Sequence, residues 1–182
     1  MKPTPDGMRI PLSCAIFLSL TLAAPGRGVL ANQESAAGKT LVELHWFAGS
    51  WSCEGSFTAS GKAISADLSF EPALENKWLL FRHDDRPPFS YHALSEWGWD
   101  DKGQQYISTV QDSTGGIRVF YSPGFSDSRL LWEGKALLNP AAPAERFEFT
   151  KNAANMFTVR YWFQKNGQWQ AVDASTCTRK AP

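Results

Sequence analysis

The amino-acid sequence predicts an all-β protein, a closed, antiparallel, up-and-down β-barrel of about ten strands with a short N-terminal helix. After residue 50, short segments of alternating apolar and polar residues follow one another, separated by turn-forming residues at intervals of roughly 8 to 14. No helical periodicity longer than two turns occurs in that region. Two cysteines, Cys53 and Cys177, are placed so that they can join the first strand to the last.

The first 31 residues have the composition of a secretory signal peptide. Lys2 and Arg9 lie in a basic start, an apolar run of about 15 residues follows, and Val29-Leu30-Ala31 fits a cleavage site. This run is shorter than the roughly 20 residues that span a bilayer, and an uncleaved anchor is the alternative. We therefore expect a periplasmic or secreted protein that is not inserted in a membrane after cleavage.

The chain that remains after cleavage would have 151 residues (182 − 31), enough for one domain with its own core. We expect a flexible lead-in over residues 32–40 and a single barrel domain over residues 41–180. Cleavage would remove three of the 18 basic and one of the 18 acidic residues, which leaves a net charge of −2. A net charge of −2 gives no indication of binding to nucleic acid or to an anionic membrane, since both attract basic proteins.

The helix and the strands follow from local patterns. Leu41, Leu44, His45 and Phe47 fall at helical spacing, and Gly49 ends that segment. Alternation of apolar and polar residues then predicts ten strands: residues 51–57, 64–71, 77–82, 91–99, 106–111, 117–121, 129–137, 146–150, 157–163 and 169–179.

Residues that favour turns separate these strands. They are Ser60-Gly61-Lys62, Arg86-Pro87-Pro88, Asp100-Asp101-Lys102-Gly103, Asp112-Ser113-Thr114-Gly115-Gly116, Ser122-Pro123-Gly124, Asn139-Pro140-Ala141-Ala142-Pro143 and Asn166-Gly167. Most of these connections are short, which predicts that consecutive strands are antiparallel neighbours.

The cysteines indicate how the strands close. Cleavage of the leader would remove Cys14, and the remaining pair in an exported chain indicates a disulfide, with two free thiols as the alternative. Opposed residues in an antiparallel pair have numbers of constant sum, and Cys53 with Cys177 gives 230, as does Trp51 with Arg179. Both pairs then share one register and one face, so the first and last strands are neighbours and no sheet edge is exposed.

The Gly49-Ser50-Trp51 stretch after a short helix, together with Arg179 near the end of the last strand, resembles the calycin superfamily. Lipocalins of that group place a first-strand Trp beneath a basic side chain of the last strand, a contact worth about 1–2 kcal/mol when desolvated. The strings Trp51-Ser52-Cys53-Glu54-Gly55 and Cys177-Thr178-Arg179 are more similar to exported bacterial lipocalin-like proteins of unknown function. The predicted ten-stranded barrel resembles, more distantly, nitrobindin and the fatty-acid-binding proteins.

A barrel of this size either fills with its own side chains or holds one small ligand. The alternation of the strands predicts a mainly aromatic interior, to which the fifth strand contributes Thr109 and Gln111. The residues that we expect to bind a ligand are Asp173, Tyr161, Tyr91, Trp97, Phe70 and Trp169. Such a wall is typical of a pocket for an apolar or amphipathic small molecule.

Asp173 is the main polar candidate, because a carboxylate inside a barrel must be paired or protonated. It could bind a ligand hydroxyl or amine, act as a base, or form an internal bond to Tyr161, Tyr91 or an arginine. By the alternation, it is the sole acid expected inside, one fewer than glycoside hydrolysis requires.

We expect no metal and no permanent cofactor. In His83-Asp84-Asp85, His83 and Asp85 can point the same way, which is too few ligands for zinc. The resemblance to nitrobindin implies haem held by a histidine late in the chain, but no histidine follows His92, and Tyr161 would have to substitute.

The sequence therefore predicts an exported binding protein rather than an enzyme, and no Gly-x-Ser-x-Gly elbow or phosphate-binding glycine-rich loop is present. One alternative is a barrel-chamber enzyme, of isomerase or cyclase type, in which Asp173 and a tyrosine act as acid and base. Another is a filled barrel with a structural or partner-binding role. A hollow interior favours ligand binding or catalysis over the filled barrel.

Overall fold

The computed structural model describes residues 41–139 and 141–181. The predicted signal peptide and lead-in lie outside the described residues. The described chain forms one antiparallel sheet that closes on itself, so the predicted all-β barrel is confirmed.

A short helix over residues 41–47, whose last turn His45–Phe47 is a 3-10 helix, precedes the sheet. The strands are β1 (Gly49–Phe57), β2 (Ala63–Ala73), β3 (Trp78–Asp85), β4 (His92–Asp100), β5 (Gln105–Asp112), β6 (Ile117–Ser122), β7 (Phe125–Ser126), β8 (Arg129–Ala136), β9 (Glu145–Ala153), β10 (Met156–Lys165) and β11 (Gln168–Arg179).

Ten of these strands form the ring, and the two-residue β7 pairs with β8 outside it. Within the ring, strands that follow one another along the chain are neighbours, and β6 pairs with β8 across the short β7. The pairing of β1 with β11 completes the circle. The topology is therefore the up-and-down meander that the short connections predict.

The seam between β1 and β11 has the predicted register. Cys53 lies opposite Cys177 and Trp51 lies opposite Arg179. The two sulfur atoms are 1.98 Å apart, at disulfide-bond distance, and both cysteines are buried. The disulfide therefore joins the two strands at a point 124 residues apart in the chain.

The helix plugs one end of the barrel. Leu44 and Phe47 are fully buried, and the Phe47 ring lies 5.3–5.7 Å, centroid to centroid, from four aromatic rings of the barrel. Burial of each such side chain contributes about 1.5–3 kcal/mol to stability. This end of the barrel is thus filled by side chains.

Arg179 fastens the helix to the seam. Its guanidinium carbon lies 4.1 Å from the centroid of the Trp51 ring, and it donates hydrogen bonds to the carbonyl oxygens of Ala48 and, at 2.7 Å, of Trp46. The Trp51 indole N–H in turn donates to the carbonyl of Phe47 at 2.7 Å. These bonds satisfy carbonyls at the end of the helix that have no partner within it.

No helix within residues 41–139 and 141–181 is long and apolar enough to cross a membrane.

Candidate functional site

The barrel is hollow above the plugged end. The cavity has a volume of about 680 Å³, and all ten strands of the ring contribute residues to its lining. Pockets for small molecules have volumes of about 300–1,000 Å³, so the cavity has the size of a ligand site. At about 30 Å³ per water molecule it has room for roughly 20 waters.

The floor of the cavity is aromatic. Trp97, Trp132 and Phe149 line it and are almost completely buried. The Trp97 ring lies 5.1 Å from each of the other two rings. In the wall nearby, the buried hydroxyls of Ser95 and Ser108 bond each other at 2.9 Å. The deep part of the cavity is therefore suited to an apolar group.

Ionisable side chains are concentrated at the opposite end, which we call the mouth. They project from β3, β6, β10 and β11 and from the loop before β4. The mouth group comprises His83, Asp85, Tyr91, Arg118, Tyr161 and Asp173. An apolar floor below a polar mouth is an amphipathic cavity.

Arg118 is the centre of a network at the mouth. It donates hydrogen bonds to the Tyr91 hydroxyl oxygen at 2.6 Å and to a carboxylate oxygen of Glu145 at 3.3 Å, and it forms an ion pair with Asp112. Its side chain is 15% exposed. Two carboxylates therefore pair with the one buried guanidinium.

The position of Asp112 is fixed by the turn between β5 and β6. Its carboxylate accepts hydrogen bonds from the backbone N–H groups of Thr114, at 2.8 Å, and Gly116, at 3.1 Å. Burial by itself would raise the pKa of Asp112, but these hydrogen bonds and the charge of Arg118 outweigh it and lower the pKa. The carboxylate therefore stays charged behind the guanidinium.

His83 and Asp85 point into the mouth together, as expected for residues two apart on a strand. The His83 Nε2 atom lies 2.8 Å from a carboxylate oxygen of Asp85, and the imidazole meets the Tyr91 ring edge-on at 5.5 Å. Among residues 41–139 and 141–181, no three His, Cys, Asp or Glu side chains are grouped so that they could hold a metal ion.

The Asp173 carboxylate faces the cavity from β11, where Asp173 lies opposite Phe57 on one side and Tyr161 on the other. Within the described part of the chain it forms no hydrogen bond or ion pair. Burial raises the pKa of Asp173 to about 6, with attraction to His83 acting against this and repulsion from Asp85 adding to it. Asp173 is thus the mouth carboxylate without a partner.

Tyr161 lies beside Asp173 and stacks on Phe147 at 4.6 Å. Burial raises the pKa of the Tyr161 phenol, and so do the charge of Glu145 and the hydrogen bond that Tyr161 donates to it. Burial also raises the pKa of Tyr91. Both phenols therefore remain protonated at neutral pH.

The loop between β3 and β4 covers part of the mouth. The Phe89 ring packs against the ring of Phe57 at 5.5 Å. Arg86 ties the loop to the barrel, because its backbone N–H donates to the carbonyl of Ser65 at 2.8 Å and its guanidinium donates to the carbonyl of Cys53 at 3.1 Å. Phe57 and Phe89 form an apolar rim beside the ionisable groups.

Four of the six residues expected to bind a ligand lie in the cavity lining: Asp173, Tyr161, Tyr91 and Trp97. Phe70 lies one layer lower, fully buried, with its ring stacked 4.4 Å from that of Phe81, which does line the cavity. Trp169 lies outside the lining, with the Arg146 guanidinium 4.0 Å from its ring.

A β-bulge explains the position of Trp169. Tyr161 of β10 pairs with Asp173, whereas the next residue of β10 pairs with Ala171, so Val172 is an extra residue in β11. One extra residue reverses the alternation beyond it. Asp173 and Trp169, four apart, therefore do not share a face.

The fifth strand also differs from the expectation. Ser108 and Val110 line the cavity, instead of Thr109 and Gln111. The hairpin between β4 and β5 pairs Trp97 with Ser108, which puts both on the inner face. The length of that turn sets which residues of β5 lie opposite those of β4. With Trp97 pointing inward, it therefore determines which residues of β5 face the cavity.

Sequence reasoning missed Arg118 and its partners. Arg118 lies in a strand whose pattern gave no reason to place a charge inside, and Glu145 precedes the predicted eighth strand. Asp173 is also not the sole acid at the interior, because Asp85 lines the cavity and Glu145 backs it. The Asp-x-Thr-Gly-Gly turn before Arg118 is the signal available, since it places a carboxylate near the strand start.

No protein-family model and no curated protein sequence matches this chain. Among solved structures, the chain is similar to Rv2717c from M. tuberculosis, with a TM-score of 0.61 and 13% identity, over 78% of this chain and 97% of that one. A redesigned β-barrel, mFAP1, bound to DFHBI aligns with a TM-score of 0.34 and 11% identity, over 75% and 96% of the two chains. EF1p2_mFAP2b bound to DFHBI aligns with a TM-score of 0.35 and 9% identity, over 76% and 96%. The similarity to Rv2717c shows a shared barrel fold.

Proposed function

We propose that this protein binds one small amphipathic molecule inside the barrel. The observation that carries the proposal is the cavity of about 680 Å³, which is aromatic at its floor and ionisable at its mouth. A barrel that served only a structural role would have no need of this space, since protein interiors are close-packed. The hollow interior therefore favours ligand binding over a filled barrel.

The apolar part of the ligand would lie against Trp97, Trp132 and Phe149. Removal of apolar surface from water contributes about 25 cal/mol per Å², so a ligand that buries about 200 Å² on the floor gains about 5 kcal/mol. The polar end would lie at the mouth, where Asp173 and Tyr91 are within the lining. A fully apolar ligand would instead leave these groups desolvated and unpaired, which is unfavourable.

The test is binding of N-phenyl-1-naphthylamine, a neutral probe whose fluorescence rises in apolar surroundings. Val110→Trp would place a large side chain in the cavity, and Gln111→Trp, the matched control, would place it on the exposed outer face. We expect tight binding by the wild type and the control and at least about tenfold weaker binding by Val110→Trp. Equal binding by all three proteins would show that the probe does not enter the barrel.

We further propose that the protein is exported and belongs to the lipocalin-like barrels of the calycin superfamily. The composition of the leader, the disulfide and the Trp51–Arg179 contact support this proposal. N-terminal sequencing of the protein from the periplasm or medium of an expressing bacterium should give Asn32 as the first residue. An intact leader on the membrane-bound protein would contradict cleavage, and recovery of the protein in the cytoplasm with its leader intact would contradict export.

A chamber enzyme is the second candidate, and one observation favours it. Asp173 faces the cavity and has a pKa of about 6, close to neutral pH, which suits a general base. If so, the proton NMR spectrum of a captured ligand should change during incubation with the wild type and remain constant with Asp173→Asn. An unchanged spectrum with both proteins would rule out turnover of that ligand.

A further inference from the structure

We propose that the cavity selects a ligand with a cationic head, an amphipathic amine, and that Asp173 is its counter-ion. The inference rests on the proposed function, because it names the class of molecule that the same cavity would bind. It follows from which charged groups at the mouth already have partners and which one does not.

Arg118 is the first group to consider, because a buried guanidinium could bind an anionic ligand. Its guanidinium forms ion pairs with Asp112 and Glu145, neither of which lines the cavity. It also donates a hydrogen bond to the Tyr91 hydroxyl oxygen. Two carboxylates against one guanidinium leave this network with a net charge of −1. Arg118 therefore offers no uncompensated positive charge to a ligand.

His83 is the second cationic candidate. Its Nε2 atom lies 2.8 Å from Asp85, so that a protonated imidazole would be neutralised within the pair. At the rim, Arg86 pairs with Glu54, and the Lys62 ammonium lies 4.6 Å from the centroid of the Phe89 ring. The basic groups around the mouth therefore have partners of their own.

Asp173 is left with an unpaired carboxylate. It lies on the cavity wall between Phe57 and Tyr161, partly withdrawn from water, and it forms no hydrogen bond within residues 41–139 and 141–181. An ammonium group placed here would supply both the missing charge and hydrogen-bond donors. A carboxylate group at the same place would instead lie beside a like charge, with Asp85 adding to the repulsion.

The rest of the mouth suits an amine with an apolar tail. The aromatic rings of Tyr161 and Tyr91 belong to the lining, and cations are attracted to aromatic rings. The tail would extend from the head towards Trp97 and Trp132 on the floor. The geometry thus matches a primary amine on an alkyl or aryl chain.

The test uses three ligands of equal chain length, decylamine, decanol and decanoate, which compete with N-phenyl-1-naphthylamine at pH 7.5. We expect decylamine to bind about tenfold to hundredfold more tightly than decanol, as is typical of a charge-assisted hydrogen bond. Decanoate should bind least tightly. In Asp173→Asn, decylamine and decanol should compete equally, while the probe itself remains bound.

Asp84→Asn is the matched control, because Asp84 lies next to Asp85 on β3 but on the outer face, where it pairs with His92. This variant should keep the preference for decylamine. Equal competition by the three ligands in the wild type, or a preference for decanoate, would overturn the inference while leaving the proposed function intact. Failure of the probe to bind the wild type would overturn both.

Discussion

Replacement of Asp173 by Asn should make the protein more stable at neutral pH. The carboxyl has a pKa of about 6 in the folded protein and an ordinary value of 3.8, because burial disfavours its charged form. The folded state therefore binds a proton more tightly than the unfolded state, so stability falls as the pH rises from about 4 to about 6. At pH values well above about 6, the carboxylate is fully charged, and the wild type is destabilised by the full amount that the pKa shift implies.

The full shift of about two pKa units corresponds to about 3 kcal/mol. Because the carboxylate faces a cavity with room for water, we expect about half of this, ~1.5 kcal/mol, which is about 3–6 °C in Tm for a domain of this size. The amide of Asn loses no bond, since Asp173 forms none within the described chain.

The assay is thermal unfolding of the wild type and Asp173→Asn at pH 4 and pH 7.5, followed by circular dichroism. The two proteins should unfold at similar temperatures at pH 4, and the variant should unfold at a higher temperature at pH 7.5. Asp84→Asn, which removes a charge from the outer face, should not show this pH-dependent gain. A lower Tm for Asp173→Asn at pH 7.5 would refute the reasoning, because it would mean that the carboxylate stabilises the fold.

Three further predictions concern the seam and the mouth. Reduction of the Cys53–Cys177 disulfide should lower the free energy of unfolding by about 4–5 kcal/mol, because the bond joins residues 124 positions apart and restricts the unfolded chain. An unchanged Tm on reduction would mean that no disulfide exists. Arg179→Met should cost about 3 kcal/mol in urea unfolding through the lost carbonyl bonds and the contact with Trp51, and a cost below about 1 kcal/mol would contradict this role. Decylamine affinity, measured by calorimetry, should rise between pH 5 and pH 7.5 as Asp173 ionises among its neighbours His83, Asp85 and Tyr161, and a flat profile would contradict that assignment.

The barrel itself could be predicted because its determinants are local. Alternation and turn residues define ten strands, and the common register of Cys53–Cys177 and Trp51–Arg179 fixes which strands meet at the seam. The short helix is also recognisable from its apolar spacing, since Leu41, Leu44 and Phe47 are the residues that it buries.

The inner face could be predicted only where the alternation is unbroken. The register near Asn166-Gly167 and the register near Cys177 differ by one residue, and the bulge at Val172 absorbs the difference. Unbroken alternation in β11 predicts that Asp173 and Trp169 lie on the same face, whereas the bulge places them on opposite faces.

The network around Arg118 depends on contacts across three strands. Tyr91, Asp112 and Glu145 are 21 to 54 residues apart, and no local pattern brings them together. Charged residues in strands are expected to face water, because burial of an unpaired charge is costly. A buried arginine is favourable only once its partners are in place, and this is a property of the folded barrel.

The central claim is that a ligand with a cationic head lies inside this barrel, and native mass spectrometry of the protein from an exporting host tests it most directly. The wild type should carry one bound molecule, and that molecule, released and analysed, should be an amine with an apolar tail. Val110→Trp, which fills the cavity, should be recovered without it, and Gln111→Trp should retain it. A wild-type protein that carries an anionic lipid, or a bound molecule that persists in Val110→Trp, would contradict the account.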